Sequence, residues 1–237
     1  MTKEKLNRPK HLVIIPDGNR RWAKALGLKP WDGHEAGAKN TEKLLTYALE
    51  NNIECVTIWG SSIDNIKKRP LMEKRALLKI YEVYFKKLLT NPAIEAEQAK
   101  VSFLGRWETQ FPNSLKTTIY ALIEKTKNYD KKMLNFMLAY SGDDEMLDTI
   151  NRIHDKYKKG TEITAKILKE SLMTSQLPPV DYMIRTGGDA HLSAGFMMWD
   201  TANAQLFFAD EKFPDFDTKK LAAALVEYSN RQRRFGK

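Results

Sequence analysis

Six short apolar runs rich in β-branched residues, interleaved with longer stretches of helical period, constrain this chain to a sheet wrapped in helices. The runs lie near 11–16 (His11-Leu12-Val13-Ile14-Ile15), 54–60, 100–105, 133–140, 181–185 and 205–209. Helical stretches are read near 34–51, 71–90, 113–128, 143–158, 164–173 and 217–230. Such alternation predicts an α/β fold with a mostly parallel sheet. With 237 residues the chain suits one buried core, so a single domain over 1–237 is expected, residues 1–9 forming a flexible polar lead-in.

In sheets of this kind ligands bind beyond the carboxyl ends of the strands. Four of those ends carry Pro16-Asp17-Gly18-Asn19-Arg20-Arg21, Gly60-Ser61-Ser62-Ile63-Asp64-Asn65, Tyr140-Ser141-Gly142-Asp143-Asp144 and Arg185-Thr186-Gly187-Gly188-Asp189. Each could be an ordinary turn, since Gly, Asn, Asp and Ser dominate turns. Turns do not call for Arg20, Arg21 and Arg185, however, whereas phosphate does: glycine admits backbone N–H groups and guanidinium clamps oxygens in pairs. Asp17 among phosphate binders would repel the ligand unless a divalent cation lay between them, which is how one or two carboxylates serve a magnesium–phosphate site.

Several classes fall away. The chain has neither Gly-x-x-x-x-Gly-Lys-Ser/Thr nor Gly-x-Gly-x-x-Gly after a strand, which removes the familiar nucleotide loops. A net charge of +9 asks for an anionic partner. Nucleic acid is not indicated, because the basic residues neither cluster on one helix nor alternate with aromatics along a strand. The single cysteine, Cys55, excludes an internal disulfide and sits in an apolar run as a buried strand residue. No apolar stretch approaches the roughly 20 residues of a membrane span and no signal peptide is evident, so a cytoplasmic protein is expected. The helix over 71–89 has a broad apolar face that suits either a core helix or, with the helix over 35–50, the wall of an apolar channel.

The segment His11 to Lys24, with Gly33-His34-Glu35-Ala36-Gly37, resembles the opening signature of the cis-prenyltransferases, the family that includes undecaprenyl diphosphate synthase. The resemblance continues through Ser62-Ile63-Asp64-Asn65, Lys68-Arg69-Pro70, Val180 to Asp189, Leu192-Ser193 and Phe196-Met197-Met198-Trp199, and it ends in Phe213-Pro214-Asp215-Phe216 and Arg231 to Gly236. It implies a six-stranded, mostly parallel sheet with a hydrophobic tunnel, a homodimer, and Mg2+-dependent condensation of isopentenyl diphosphate with an allylic diphosphate to give a cis double bond. It implies Asp17 as the magnesium carboxylate; Gly18, Asn19, Arg20, Arg21 and Trp22 as the allylic diphosphate cradle; and His34 as an active-site histidine. It further implies Ser62, Asn65 and Arg69 as residues that orient substrates and assist proton loss. Arg185 and Ser193 match binders of isopentenyl diphosphate, and Arg234 matches a segment that reaches a phosphate across the dimer.

The departures from the family pattern are specific. Gln205 stands where the family has a glutamate that shares the metal, with Asp143, Asp144 or Asp189 as substitutes; a neutral amide offers an oxygen but no charge. His191 replaces a phosphate-binding arginine, and Pro30 replaces another, with Lys29 beside it. The loop Ile66-Lys67-Lys68 reads as one residue longer than the commonest form, and Ala194-Gly195 reads as an insertion. Three readings follow: a chain-elongating enzyme, a non-catalytic binding subunit, and a variant that condenses short isoprenoids in a branched way. Because the product is apolar, delivery at the inner face of a membrane is expected, aided by the basic surface.

Overall fold

The computed structural model describes residues 7–231. Of the expected lead-in, residues 1–6 lie outside that range, while the Asn7 backbone N–H donates to Ser229 Oγ at 2.9 Å. In chain order the elements are β1 (His11–Ile15), α1 (Asn19–Ala25), α2 (Pro30–Glu50), β2 (Cys55–Trp59), α3 (Ile63–Lys68), α4 (Leu71–Leu89), α5 (Pro92–Ala96), β3 (Ala99–Leu104), α6 (Trp107–Gln110), α7 (Asn113–Thr126), β4 (Lys132–Met137), α8 (Gly142–Lys156), α9 (Ala165–Ser171), β5 (Tyr182–Arg185), β6 (Gln205–Phe208) and α10 (Thr218–Asn230), with a 3-10 turn at Phe213–Asp215 before α10.

The six strands form one sheet in the order β3-β4-β2-β1-β5-β6, and every pairing is parallel, which sharpens the expectation of a mostly parallel sheet. All five residues of β1 and of β2 are buried, as continuous apolar strands covered on both faces should be. Alternate side chains feed two cores. Leu12 and Ile14 join the larger cluster with Leu44, Leu77, Ile119 and Leu225, while Val13 and Ile15 join a smaller one with Trp59, Tyr140, Phe196 and Met197. The chain builds β2, β3 and β4 to one side of β1, then crosses to place β5 and β6 on the other. The β1/β5 boundary is therefore the switch point, beyond whose carboxyl edge a crevice must open.

Two differences from the sequence reading have simple causes. Helix α1 begins directly after Gly18, in what read as a loop, because a seven-residue helix is too short to show an apolar period. Helix α2 starts four residues earlier than expected, at Pro30, whose ring is pre-set for a first helical position; the Asp32 carboxylate accepts the Lys29 backbone N–H at 2.9 Å. Gly33 and Gly37 lie one turn apart on α2 against Asn19, where a Cβ on either would run into the Asn19 backbone or side chain. That close approach fixes the first turn of α1 over the start of α2.

Candidate active site

The site begins where β1 ends. Gly18 adopts φ 98°, a left-handed conformation open to glycine, and turns the chain straight into α1. The turn holds Asp17 at the edge of the sheet with Oδ1 accepting the Gly18 N–H at 2.6 Å. Arg185, last residue of the neighbouring β5, donates from Nη2 to Asp17 Oδ2 at 2.8 Å. Arg21, one turn along α1, lies 3.3 Å from Asp17 Oδ1 and 2.8 Å from Asp189 Oδ2. Arg185 is 5% exposed, and its Nη1 also donates to His191 O at 2.6 Å and Ser193 Oγ at 2.9 Å. Its buried Nε has no protein partner. A guanidinium this buried beside an acid sets a fixed positive charge at the mouth of the site.

The facing side is built by α2, α3 and α4. Ser62 caps α3 by accepting the Asn65 N–H at 3.0 Å, and Asn65 Oδ1 accepts from Arg69 Nη2 at 3.2 Å. Behind these residues stands Glu73, in the first turn of α4 and 3% exposed. Its Oε1 lies 3.0 Å from His34 Nε2, 3.4 Å from Arg20 Nε and 3.6 Å from Arg69 Nε. Burial, reinforced by the Arg69 charge, pushes the His34 imidazole below its ordinary value, which favours its neutral form. The sequence reading missed Glu73. Its one signal was an acid four residues after Arg69 in a basic stretch.

Between the two sides opens a cavity of about 1130 Å³. Its rim carries Asp17, Gly18, Asn19, Arg20, Arg21, His34, Ser62, Asn65, Arg69, Arg185, Asp189 and Ser193. Inward it is lined by Leu77, Ile80, Tyr81 and Tyr84 of α4, then by Phe85, Leu49, Ile94, Leu134 and Phe136. Part of the α4 face thus lines the cavity, while Leu77 and Phe85 also belong to the larger core. His34 and Leu49 stand fifteen positions apart on α2. At 1.5 Å per residue the lining therefore extends about 22 Å along that helix.

Some sequence-predicted residues are not brought to this cavity. Trp22 turns away and donates from Nε1 to Asp215 Oδ1 at 2.8 Å. Lys29 lays its ammonium over the Trp31 ring, 5.3 Å from the centroid, outside the lining. His191 is outside the lining and meets it through two lining residues: its Nε2 sits 3.0 Å from Ser193 Oγ and its carbonyl oxygen accepts from Arg185. Gln205 needs the largest correction. It opens β6 opposite Tyr182, three register positions from the Arg185–Phe208 rung, so about 10 Å of strand separates it from the rim within this chain. Its buried Oε1 has no hydrogen-bond partner. Arg234 lies outside the described residues.

Of the three acids offered in place of the missing glutamate, Asp189 alone lines the cavity. Asp144 is bound by Arg106 at 2.8 Å, and Asp143 Oδ1 accepts the Asp144 N–H. Among the described residues no group of three or more His, Cys, Asp or Glu side chains is arranged to hold a metal. Magnesium does not require one, since it binds through one or two carboxylates and takes its remaining oxygens from water and phosphate. Asp17, with its side chain 33% exposed at the rim, fits that role. Cys55 does not join the site; burial pushes its thiol up to about 12.

Residues 15–236 match the family model described as "Putative undecaprenyl diphosphate synthase". A tritrans,polycis-undecaprenyl-diphosphate synthase (geranylgeranyl-diphosphate specific) from Thermococcus kodakarensis is 34% identical over 98% of this chain and 88% of its own length. An isoprenyl transferase from Thermus thermophilus is 35% identical, covering 97% of this chain and 89% of its own. Among solved structures, lavandulyl diphosphate synthase from Lavandula x intermedia in complex with dimethylallyl diphosphate superposes with a TM-score of 0.90 at 27% identity, over 97% of this chain and 99% of that one.

Proposed function

Because this chain belongs to the undecaprenyl diphosphate synthase family of prenyltransferases, we propose that it condenses isopentenyl diphosphate with an allylic isoprenoid diphosphate and extends the product as a linear cis-polyprenyl diphosphate. The observation that carries this reading is the continuity of one cavity. Arginines and acids occupy its mouth, and inward it is lined by apolar side chains such as Leu77, Ile80, Leu49 and Leu134. A short branched product would leave most of that apolar wall unused.

In this reading Arg20 and Arg21 bind the allylic diphosphate at the start of α1, where the backbone N–H groups of a helix N-terminus add to their charge. Arg185 and Ser193, hydrogen-bonded to each other and both lining the cavity, hold the diphosphate of the isopentenyl substrate. Asp17 would hold Mg2+, which when bound neutralises charge developing on a departing diphosphate. Asn65 and Arg69 orient the reacting chains from the opposite wall, and the apolar lining beyond them keeps water from the reacting centre.

The reading includes a homodimer, supported by exposed Leu192, Met198 and Trp199 in the loop that leads to the edge strand β6. It also includes peripheral membrane contact, supported by the net charge of +9 and testable by salt-dependent sedimentation with anionic liposomes. Among the described residues no helix is long and apolar enough to cross a membrane. The deciding experiment supplies purified protein with magnesium, labelled isopentenyl diphosphate and a panel of allylic diphosphates. Extended prenyl diphosphates by mass spectrometry support the proposal; no product from any primer, without an added subunit, overturns it.

A further inference from the structure

The chemistry at the mouth depends on groups that touch the cavity, yet three of them converge on one atom that does not. Glu73 is absent from the lining, while His34, Arg20 and Arg69, all lining residues, point nitrogen atoms at its Oε1. A carboxylate so buried is tolerated only when paired. Here it has two guanidinium groups, an imidazole, and the N-terminal turn of α4, which favours negative charge.

The donor inventory decides the protonation of His34. A guanidinium can only donate and an ionised carboxylate can only accept. His34 Nε2 lies 3.0 Å from Glu73 Oε1 and 3.3 Å from Arg69 Nη1, so its proton must satisfy one neighbour at the expense of the other. Arg69 already has Asn65 Oδ1 and Glu73 to donate to, and the carboxylate is the closer atom. Nε2 therefore carries the hydrogen and gives it to Glu73. A neutral imidazole with Nε2–H has an unprotonated Nδ1, and no described residue hydrogen-bonds to His34 Nδ1.

We infer that Glu73 is a positioning residue for the condensation: it locks His34 as the Nε2–H tautomer, leaving Nδ1 as a hydrogen-bond acceptor for the substrates, and it holds Arg20 and Arg69 in register with that atom. The role rests on the function proposed above, but its structural half can be measured without turnover. Glu73 itself never meets substrate. Within the site as described, His34 Nδ1 is a nitrogen lone pair able to receive a proton or an N–H or O–H group, in a cavity whose other charged nitrogen groups only donate.

The test uses the full chain labelled with 15N-histidine, which gives only four imidazoles to resolve, with His34→Gln identifying the signal. Long-range 1H–15N spectra of the substrate-free wild type should show His34 protonated at Nε2 alone. A His34 protonated at Nδ1, or at both nitrogens at pH 7, overturns the inference. Glu73→Gln keeps the shape but can turn an NH2 toward Nε2, so the single tautomer should be lost. Turnover should fall about 10–100-fold, by analogy with the loss when a partner that orients a metal-ligating histidine is removed, with a smaller change in KM. Glu73→Asp, which retains the charge, should recover part of kcat and the wild-type tautomer, and it serves if Glu73→Gln folds poorly. If the tautomer changes while kcat does not, or neither changes, Glu73 is not a positioning residue. If the wild type itself makes no product, the proposed function fails, and the wild-type spectra still decide the tautomer.

Discussion

Asp17 and Glu73 are both acids held by two arginines at the mouth of one cavity, yet they occupy opposite regimes. Asp17 follows a strand, is 33% exposed, and divides its two oxygens between Arg185 and Arg21. Glu73 opens a helix, is 3% exposed, and gathers Arg20, Arg69 and His34 on one oxygen. Exposure separates their functions. An acid that water can reach can exchange its partners for a cation and a diphosphate; an acid sealed behind its partners can only set where they point. The first should govern chemistry with modest effect on folding, and the second should govern both.

The largest expected effect is at Asp17. Asp17→Ala should lower turnover on the order of 10³-fold, the cost of losing a group aimed at developing charge, while its stability cost, confined to a buried Arg185 that keeps His191 O and Ser193 Oγ as acceptors, should stay below that of Glu73→Ala. Steady-state assays and urea titrations on one preparation check both halves. Wild-type turnover in Asp17→Ala would break the comparison. Glu73→Ala comes next. It strands two guanidinium groups, one of them largely buried, and should cost about 3–5 kcal/mol of stability by urea unfolding. A loss below about 1 kcal/mol would show that Glu73 is solvated and that the two acids do not differ in kind.

What the sequence revealed follows the same division. Asp17, Arg20, Arg21 and Arg185 were legible because they stand at the ends of apolar runs among glycines, and strand ends can be located from local pattern alone. Their convergence was not, because it depends on β5 pairing beside β1 across the switch point, and local pattern says nothing of strand order. Glu73 was hidden by its ordinariness. An acid in the first turn of a helix is favoured on any helix, so nothing in its neighbourhood separated a buried node from a solvated face. Gln205 erred the other way: counting from Trp199 suggested a shared ion, but the parallel register sets it at the far end of β6. The cavity wall on α4 was half-legible, since an apolar face looks the same whether it meets a core or a void.

A substitution beyond both acids tests whether they act only at the mouth. Leu134 on β4 lines the inner cavity and is fully buried. Leu134→Ala should lengthen the product by mass spectrometry, because it deepens the apolar end. The expected stability cost is about 2–5 kcal/mol for a leucine truncated in a core. The rate of the first condensation should be unchanged. If that rate falls as it does in Asp17→Ala, the mouth and the wall are not separable.

The smallest effect is the most direct reading of the Glu73 side. Burial lowers the pKa of His34, and burial likewise lowers that of His11, which lies on β1 with its ring nitrogens 2.8 Å from Pro178 O and Thr57 Oγ1. A histidine whose folded pKa is depressed below 6.5 binds its proton more readily when unfolded, so stability is full above that value and is lost as pH falls beneath it. Each such histidine contributes a slope of at most about 1.4 kcal/mol per pH unit. Urea unfolding between pH 7.5 and 5.5 should therefore weaken on the acid side, and His34→Gln should remove about half of the histidine-dependent slope. Burial raises the pKa of Glu145, whose contribution runs the opposite way, but it is common to both proteins and cancels in their difference. A loss on the acid side that steepens in His34→Gln would mean that the native imidazole is already charged against Glu73. The sealed acid would then hold a third cation and no neutral donor, and His34 would have no free lone pair to offer the cavity.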